Sequence, residues 1–204
     1  MTGHFIAFEG GEGTGKSTQA RRLADRLGPR ALFTFEPGDT PLGADVRRLL
    51  LDSPDLDITD RAEALLMAAD RAQHVVEVIG PALVAGRTVI TDRFAGSSIA
   101  YQGHGRQLPA AEVEQLSRWA TDGLWPDLIL LLEVSPRDAE RRLARDKDRV
   151  ESAGEAFHTR VHDGFLVQAM ADPDRWAVVD GTRAEGDVAD AIWELISIRF
   201  PDLA

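Results

Sequence analysis

The chain has 204 residues, 44% of them hydrophobic and 28% charged, enough for one domain with a sizeable core. A formal net charge of −11 repels nucleic-acid backbones, so no polynucleotide partner is expected, and the absence of cysteine excludes disulfides, thiolate metal sites and cysteine nucleophiles. No apolar run approaches the roughly 18 residues of a membrane span. No signal peptide is read at Met1, so the expected compartment is the cytoplasm.

Short apolar runs alternate with amphipathic stretches. His4–Phe8 reads as a strand, and Ser17–Leu27 as a helix stopped by Gly28-Pro29. A second strand, Ala31–Phe35, ends at Glu36-Pro37-Gly38. Leu42–Leu51 and Arg61–Ile79 read as helices; Pro81 is expected to interrupt, with one more turn at Ala82–Ala85. Thr88–Thr91 is a third strand, followed directly by Asp92-Arg93, and Glu112–Thr121 is helical. Leu128–Val134 is the continuous apolar run of a strand buried on both faces. Pro136–Arg145 reads as a basic helix, residues 146–155 as a polar lid, then a helix to about Ala171, a strand at Trp176–Val179 and a helix from Asp187 to Ile198. The alternation predicts a single α/β domain over residues 1–204, with a parallel sheet.

Gly10-Gly11-Glu12-Gly13-Thr14-Gly15-Lys16-Ser17 matches G-x-x-x-x-G-K-[ST], with a strand before it and a helix after it. Glycines let successive N–H groups turn toward phosphates, and the helix N-terminus adds its positive end. Lys16 is expected on the β- and γ-phosphates, and the Ser17 hydroxyl on Mg²⁺. The segment from Gly10 to Thr18 is therefore expected to bind the phosphates of a nucleoside triphosphate together with Mg²⁺. Glu12 is anomalous beside a triphosphate, which would repel it. It is expected to point away and face an acceptor substrate. The chain contains no Asn, so the Asn-Lys-x-Asp guanine-reading element of GTPases cannot exist. Small chains with this loop are often kinases of small metabolites.

Phe8 to Thr18 resembles the phosphate loop of bacterial thymidylate kinases. Glu36-Pro37-Gly38-Asp39-Thr40 is similar to that family's E-P-G-G-T, with Asp39 in place of a glycine, and Val46 to Leu51 matches the following helix. Ala68-Ala69-Asp70-Arg71-Ala72-Gln73, the block Asp92 to Gly103, Leu132 to Pro136, Asp148 to Glu151 and Phe157 to Val161 match further blocks in order. Of these, Asp92 to Gly103 is the most specific. The resemblance implies a P-loop fold, a five-stranded parallel sheet flanked by helices, a homodimer, and the reaction ATP + dTMP → ADP + dTDP. It implies that Arg93, Arg47 and Arg71 hold the acceptor phosphate, and that Asp92 holds Mg²⁺-bound water or orients Arg93. Glu36 and Gln102 join the substrate-binding residues, Tyr101 lies beside the sugar and Ser98 on the base. Met67 stands where the family usually has an aromatic ring, one helical turn from Arg71. Arg142, Arg145 and Arg149 would share one helix face; Arg149 first and Arg145 second are expected to reach the γ-phosphate as the lid closes. His74, His104, His158 and His162 show no metal-ligand spacing and read as structural or surface residues.

Overall fold

The computed structural model describes residues 3–53, 56–142 and 154–204. Its strands are Phe5–Glu9 (β1), Ala31–Phe35 (β2), Thr88–Asp92 (β3), Leu128–Glu133 (β4) and Trp176–Asp180 (β5). They form one parallel sheet in the order β2-β3-β1-β4-β5. The described helices are α1 (Lys16–Leu27), α2 (Pro41–Leu51), α3 (Asp60–His74), α4 (Gly80–Val84), α5 (Ala95–Ser98), α6 (Ala110–Ala120), α7 (Pro136–Arg142), α8 (Glu155–Ala171) and α9 (Glu185–Arg199).

The central strands are buried on both faces because helices cover both. Successive side chains of a strand point to opposite sides. Phe5 and Ala7 pack with Val89, Ile129, Phe94 and Phe165 on one face. Ile6 and Phe8 pack with Leu23, Ile90, Leu130 and Ile192 on the other. The result is three layers, with β1 at the switch between the two halves of the sheet, where ligands of open α/β sheets bind beyond the strands' carboxyl ends.

Pro81 does not interrupt the helix it follows. The chain runs from α3 through a π-helical turn, Val75–Ile79, directly into α4. Gly80 N–H bonds back to the Val75 carbonyl, five residues earlier. Widening the helix just ahead of a residue that has no N–H lets the chain carry the proline without a break. A second difference lies after Arg93. Ala95–Gly105, which no periodicity marks, is helical: α5 passes into a π-helical stretch, Ile99–Gly105. Residues 146–153 of the expected lid, with Arg145 and Arg149, lie outside the described residues.

Candidate active site

Gly10 to Ser17 connects β1 to α1 at the sheet's switch point. Gly10 has φ 140°, and a Cβ there would lie 2.7 Å from the Leu132 carbonyl oxygen. Gly15, at φ 92°, is the N-cap of α1, and no side chain caps the helix. Its first N–H groups therefore open toward the loop, the arrangement that attracts an anion. Lys16 is buried and its Nζ donates to the Gly11 carbonyl at 2.5 Å. Burial, then the nearby Arg93 charge, lowers the Lys16 pKa from 10.5 to about 8. The Ser17 hydroxyl donates to Asp92 Oδ2, and Asp92 Oδ1 is buried with no partner among the described residues.

Arg93 follows β3 with φ 73°, a left-handed conformation that costs energy in a side-chain-bearing residue. Its N–H is held by the Phe8 carbonyl at 2.9 Å, which ties the turn to β1. The guanidinium donates to the Gly10 carbonyl (3.1 Å), Ser97 Oγ (2.9 Å) and the Tyr101 hydroxyl (3.2 Å), and pairs with Glu12. Burial works against its charge, but Glu12, Tyr101, Asp92 and Glu9 outweigh that and hold its pKa well above the ordinary value. The Tyr101 phenol is pushed up by burial, so it is a neutral donor and acceptor here.

These groups open on a cavity of about 340 Å³. Its lining includes Glu12, Lys16, Ser17, Asp92 and Arg93, and also Phe35, Glu36, Pro37, Arg47, Glu63, Met67, Ser97, Tyr101 and Gln102. Arg47 Nη1 donates to the Pro37 carbonyl at 2.9 Å, bracing the turn before α2. Glu12, Lys16 and Ser17 of the loop, Asp92 and Arg93 at the end of β3, and Met67 of α3 thus share one opening.

Arg71 and Ser98 do not line it. Arg71 is fully buried behind the wall, where Nε donates to Glu36 Oε2 at 2.9 Å, and the remaining nitrogens donate to Ser117 Oγ, the Phe94 carbonyl and Ser98 Oγ. A buried guanidinium demands this matching, because an unpaired one would be several kcal/mol too costly. His74 is also buried and bonds Glu36 Oε1 at 3.0 Å through Nδ1 and the Thr34 hydroxyl at 2.5 Å through Nε2. The same hydroxyl donates to Asp39, the carboxylate standing where the resemblance expects glycine. Asp70 Oδ1 accepts from Gly38 N–H at 3.1 Å; burial and the Glu36 charge push its carboxyl to about 6.

Two features escape a reading of the sequence. Glu9, the last residue of β1, is fully buried. It accepts from Phe94 N–H (3.0 Å), Ser97 N–H (2.9 Å) and the Ser97 hydroxyl (2.6 Å), and so caps α5 from across the sheet. Burial raises its pKa from 4.5 to about 7. The only sequence signal is a carboxylate ending an apolar strand. The other is Glu63 on α3, which holds Gln102 and Arg106. Arg142 Nη1 donates to the Gly181 carbonyl at 2.9 Å, which anchors the end of α7 to the turn after β5.

A family model described as "Thymidylate kinase" matches residues 8–192. A thymidylate kinase of Bifidobacterium longum is 46% identical over 210 residues, covering 100% of both chains. One of Cutibacterium acnes is 47% identical over 200 residues, covering 97% of this chain and 98% of the other. Among solved structures, thymidylate kinase from Ehrlichia chaffeensis superposes with a TM-score of 0.79 at 30% identity, covering 96% of this chain and 99% of that one.

Proposed function

The chain belongs to the thymidylate kinase family, and from that premise we propose that it phosphorylates dTMP to dTDP at the cavity between the Gly10–Thr18 loop and Arg93, with ATP as phosphoryl donor. The observation that carries this reading is the shared opening of Lys16, Ser17, Asp92, Arg93 and Glu12 on one cavity. A kinase must bring two anions together, and fixed cations on both sides of the transfer path allow it.

On the donor side, the loop N–H groups and the α1 N-terminus hold the ATP phosphates, with Lys16 on the β- and γ-phosphates. Mg²⁺ fits the Ser17 hydroxyl and Asp92 Oδ1, which has no partner among the described residues; both are oxygens of the hard-donor type that ion prefers. When bound, it neutralises phosphate charge. On the acceptor side, Arg93 and Arg47 grip the dTMP phosphate. Glu12 then leaves Arg93 and turns to a sugar hydroxyl. The Tyr101 ring stands beside the sugar, Met67 packs on the base, and Gln102 meets the base edge. Arg71, Ser98 and Glu36 form the rigid wall behind that edge. The acceptor oxygen is already anionic at neutral pH, so no general base is required. Arg149 of the lid at 146–155, with Arg145 just before it as the second choice, would meet the γ-phosphate; both lie outside the described residues.

We further propose a cytoplasmic homodimer. Leu65 on α3 and Trp119 on α6 stand in solvent, 59% and 82% exposed, and a second copy would cover such groups. Light scattering on the purified chain tests this.

The deciding experiment is a coupled ADP-release assay across dTMP, dUMP, dCMP, AMP and thymidine. Turnover is expected with dTMP above the others, and near-abolished in a folded Lys16→Ala variant. ADP release indifferent to dTMP would sink the proposal.

A further inference from the structure

The side-chain amide of Gln102 has two ends of opposite character, and which one faces the cavity decides what the site can read. Gln102 is buried, 3% exposed, and lines the cavity. Its Nε2 donates to Glu63 Oε1 at 2.9 Å, while its Oε1 has no partner among the described residues. A free amide would present either end, since the two ends are almost identical in shape. Here a carboxylate takes the nitrogen, and a carboxylate can only accept.

The carboxylate is itself fixed. Glu63 is 1% exposed. Arg106 clasps both its oxygens, through Nε to Oε1 at 3.3 Å and Nη2 to Oε2 at 3.2 Å. Arg106 in turn lies 3.6 Å from Asp60 and over the Phe157 ring, 4.7 Å from its centre. The π-helical stretch Ile99–Gly105 brings the consecutive residues Tyr101 and Gln102 to the same opening.

We propose that Glu63 and Arg106 are positioning residues for base selection: they lock the Gln102 amide with its oxygen toward the acceptor nucleotide. The locked oxygen suits a pyrimidine whose N3 carries a hydrogen, as in thymine and uracil. It opposes cytosine, whose N3 is an acceptor, because two acceptors face each other with neither satisfied. This rests on the reading that Gln102 meets the base edge.

The test compares dissociation constants for dTMP and dCMP, by titration calorimetry, in the wild-type chain and in Glu63→Gln, Arg106→Gln and Gln102→Leu. Glutamine at position 63 both donates and accepts, so it releases the amide. The dCMP-to-dTMP ratio of Kd is expected to fall about tenfold in Glu63→Gln and in the same direction in Arg106→Gln. In Arg106→Gln, whose residue is outside the cavity lining, the dTMP kcat should stay within about twofold, and in both variants the KM for ATP should not move, since neither residue touches phosphate. A merely structural role would weaken both nucleotides equally. A ratio that does not fall in Glu63→Gln, or in Arg106→Gln should the first variant not fold, overturns the lock, provided Gln102→Leu lowers it. A ratio that Gln102→Leu also leaves intact overturns the base-edge reading itself, and the lock with it.

Discussion

Replacing Glu9 by Gln isolates a single buried ionisation. Glu9 is 0% exposed, and its carboxyl titrates near 7 instead of 4.5, chiefly because burial penalises the charge. Glutamine keeps the geometry: its oxygen can accept from Phe94 and Ser97 N–H, and its amide can donate to Ser97 Oγ in place of the present bond. The substitution therefore removes the ionisation while leaving the cap on α5. The native pKa lies above the unfolded one, so between pH 4.5 and 7 the folded chain binds more protons than the unfolded chain. Wild-type stability falls as pH rises through that window. At about 1.4 kcal/mol per pH unit, the whole window is worth about 3 kcal/mol. Asp70, raised to about 6, contributes the same slope to both proteins and cancels in the difference. Thermal unfolding followed by circular dichroism from pH 4.5 to 8 should show Glu9→Gln gaining on the wild type by roughly 6–12 °C. Parallel curves would refute the reasoning, because they would mean that Glu9 is ionised at no cost inside the core.

Lys16, lowered to about 8, should recover its proton when phosphates arrive, so ATP binding near pH 9 should take up most of one proton. Calorimetry in buffers of different ionisation enthalpy reads this, and Lys16→Met should abolish it. Arg93→Lys keeps the charge but loses the fork that reaches Gly10, Ser97, Tyr101 and Glu12; kcat/KM for dTMP should fall about a hundredfold or more with KM for ATP little changed. Met67→Phe should lower KM for dTMP by roughly two- to fivefold, through a stacking gain of about 0.5–1 kcal/mol; an unchanged KM would mean that Met67 does not touch the base. A Cβ at Gly43 would run into Asp70 Oδ1 and lie 2.9 Å from Thr40 Oγ1, so Gly43→Ala should cost about 1–3 kcal/mol in a denaturant melt.

Elements that depend on local pattern are legible in the sequence. The apolar run at Leu128 marks β4 to within a residue, and Ala31–Phe35 is β2 as read. The phosphate loop follows from its glycines and its flanking strand and helix. What escapes is whatever a distant residue supplies. α5 has no capping residue of its own, and Ala95 to Gly105 is rich in glycine and serine, so it reads as loop. Its cap arrives from Glu9, 85 and 88 positions earlier. The fate of Arg71 is of the same kind. Its spacing from Met67 puts both on one side of α3, but only Met67 lines the cavity, because Glu36, Ser98 and Ser117 consume the guanidinium behind the wall. Pro81 misleads for the opposite reason: local chemistry forbids a regular α-helix there, and the π-helical turn ahead of it avoids the conflict.

A net charge of −11 is ill suited to an enzyme that must bind two phosphate-bearing nucleotides, and the cavity is itself rich in carboxylates. The bonding around them resolves the difficulty. Glu36 is matched by Arg71 and His74, Glu63 by Arg106, and Glu12 by Arg93. Asp92 receives the Ser17 hydroxyl on one oxygen, and its other oxygen, without a partner among the described residues, is the one proposed above for a cation. Glu9, near 7, is partly neutral at physiological pH. Each acid is thus screened at contact distance, where the interaction is strong, while the net charge acts across solvent and salt, where it is weak. Glu12 is the exception with a use on the proposed reading: its hydrogen-bonded ion pair with Arg93 is one that an incoming acceptor phosphate would replace, one anion for another. On that reading the arginine would change partners without ever standing as an unpaired buried charge, which is what a rapid acceptor-binding step requires.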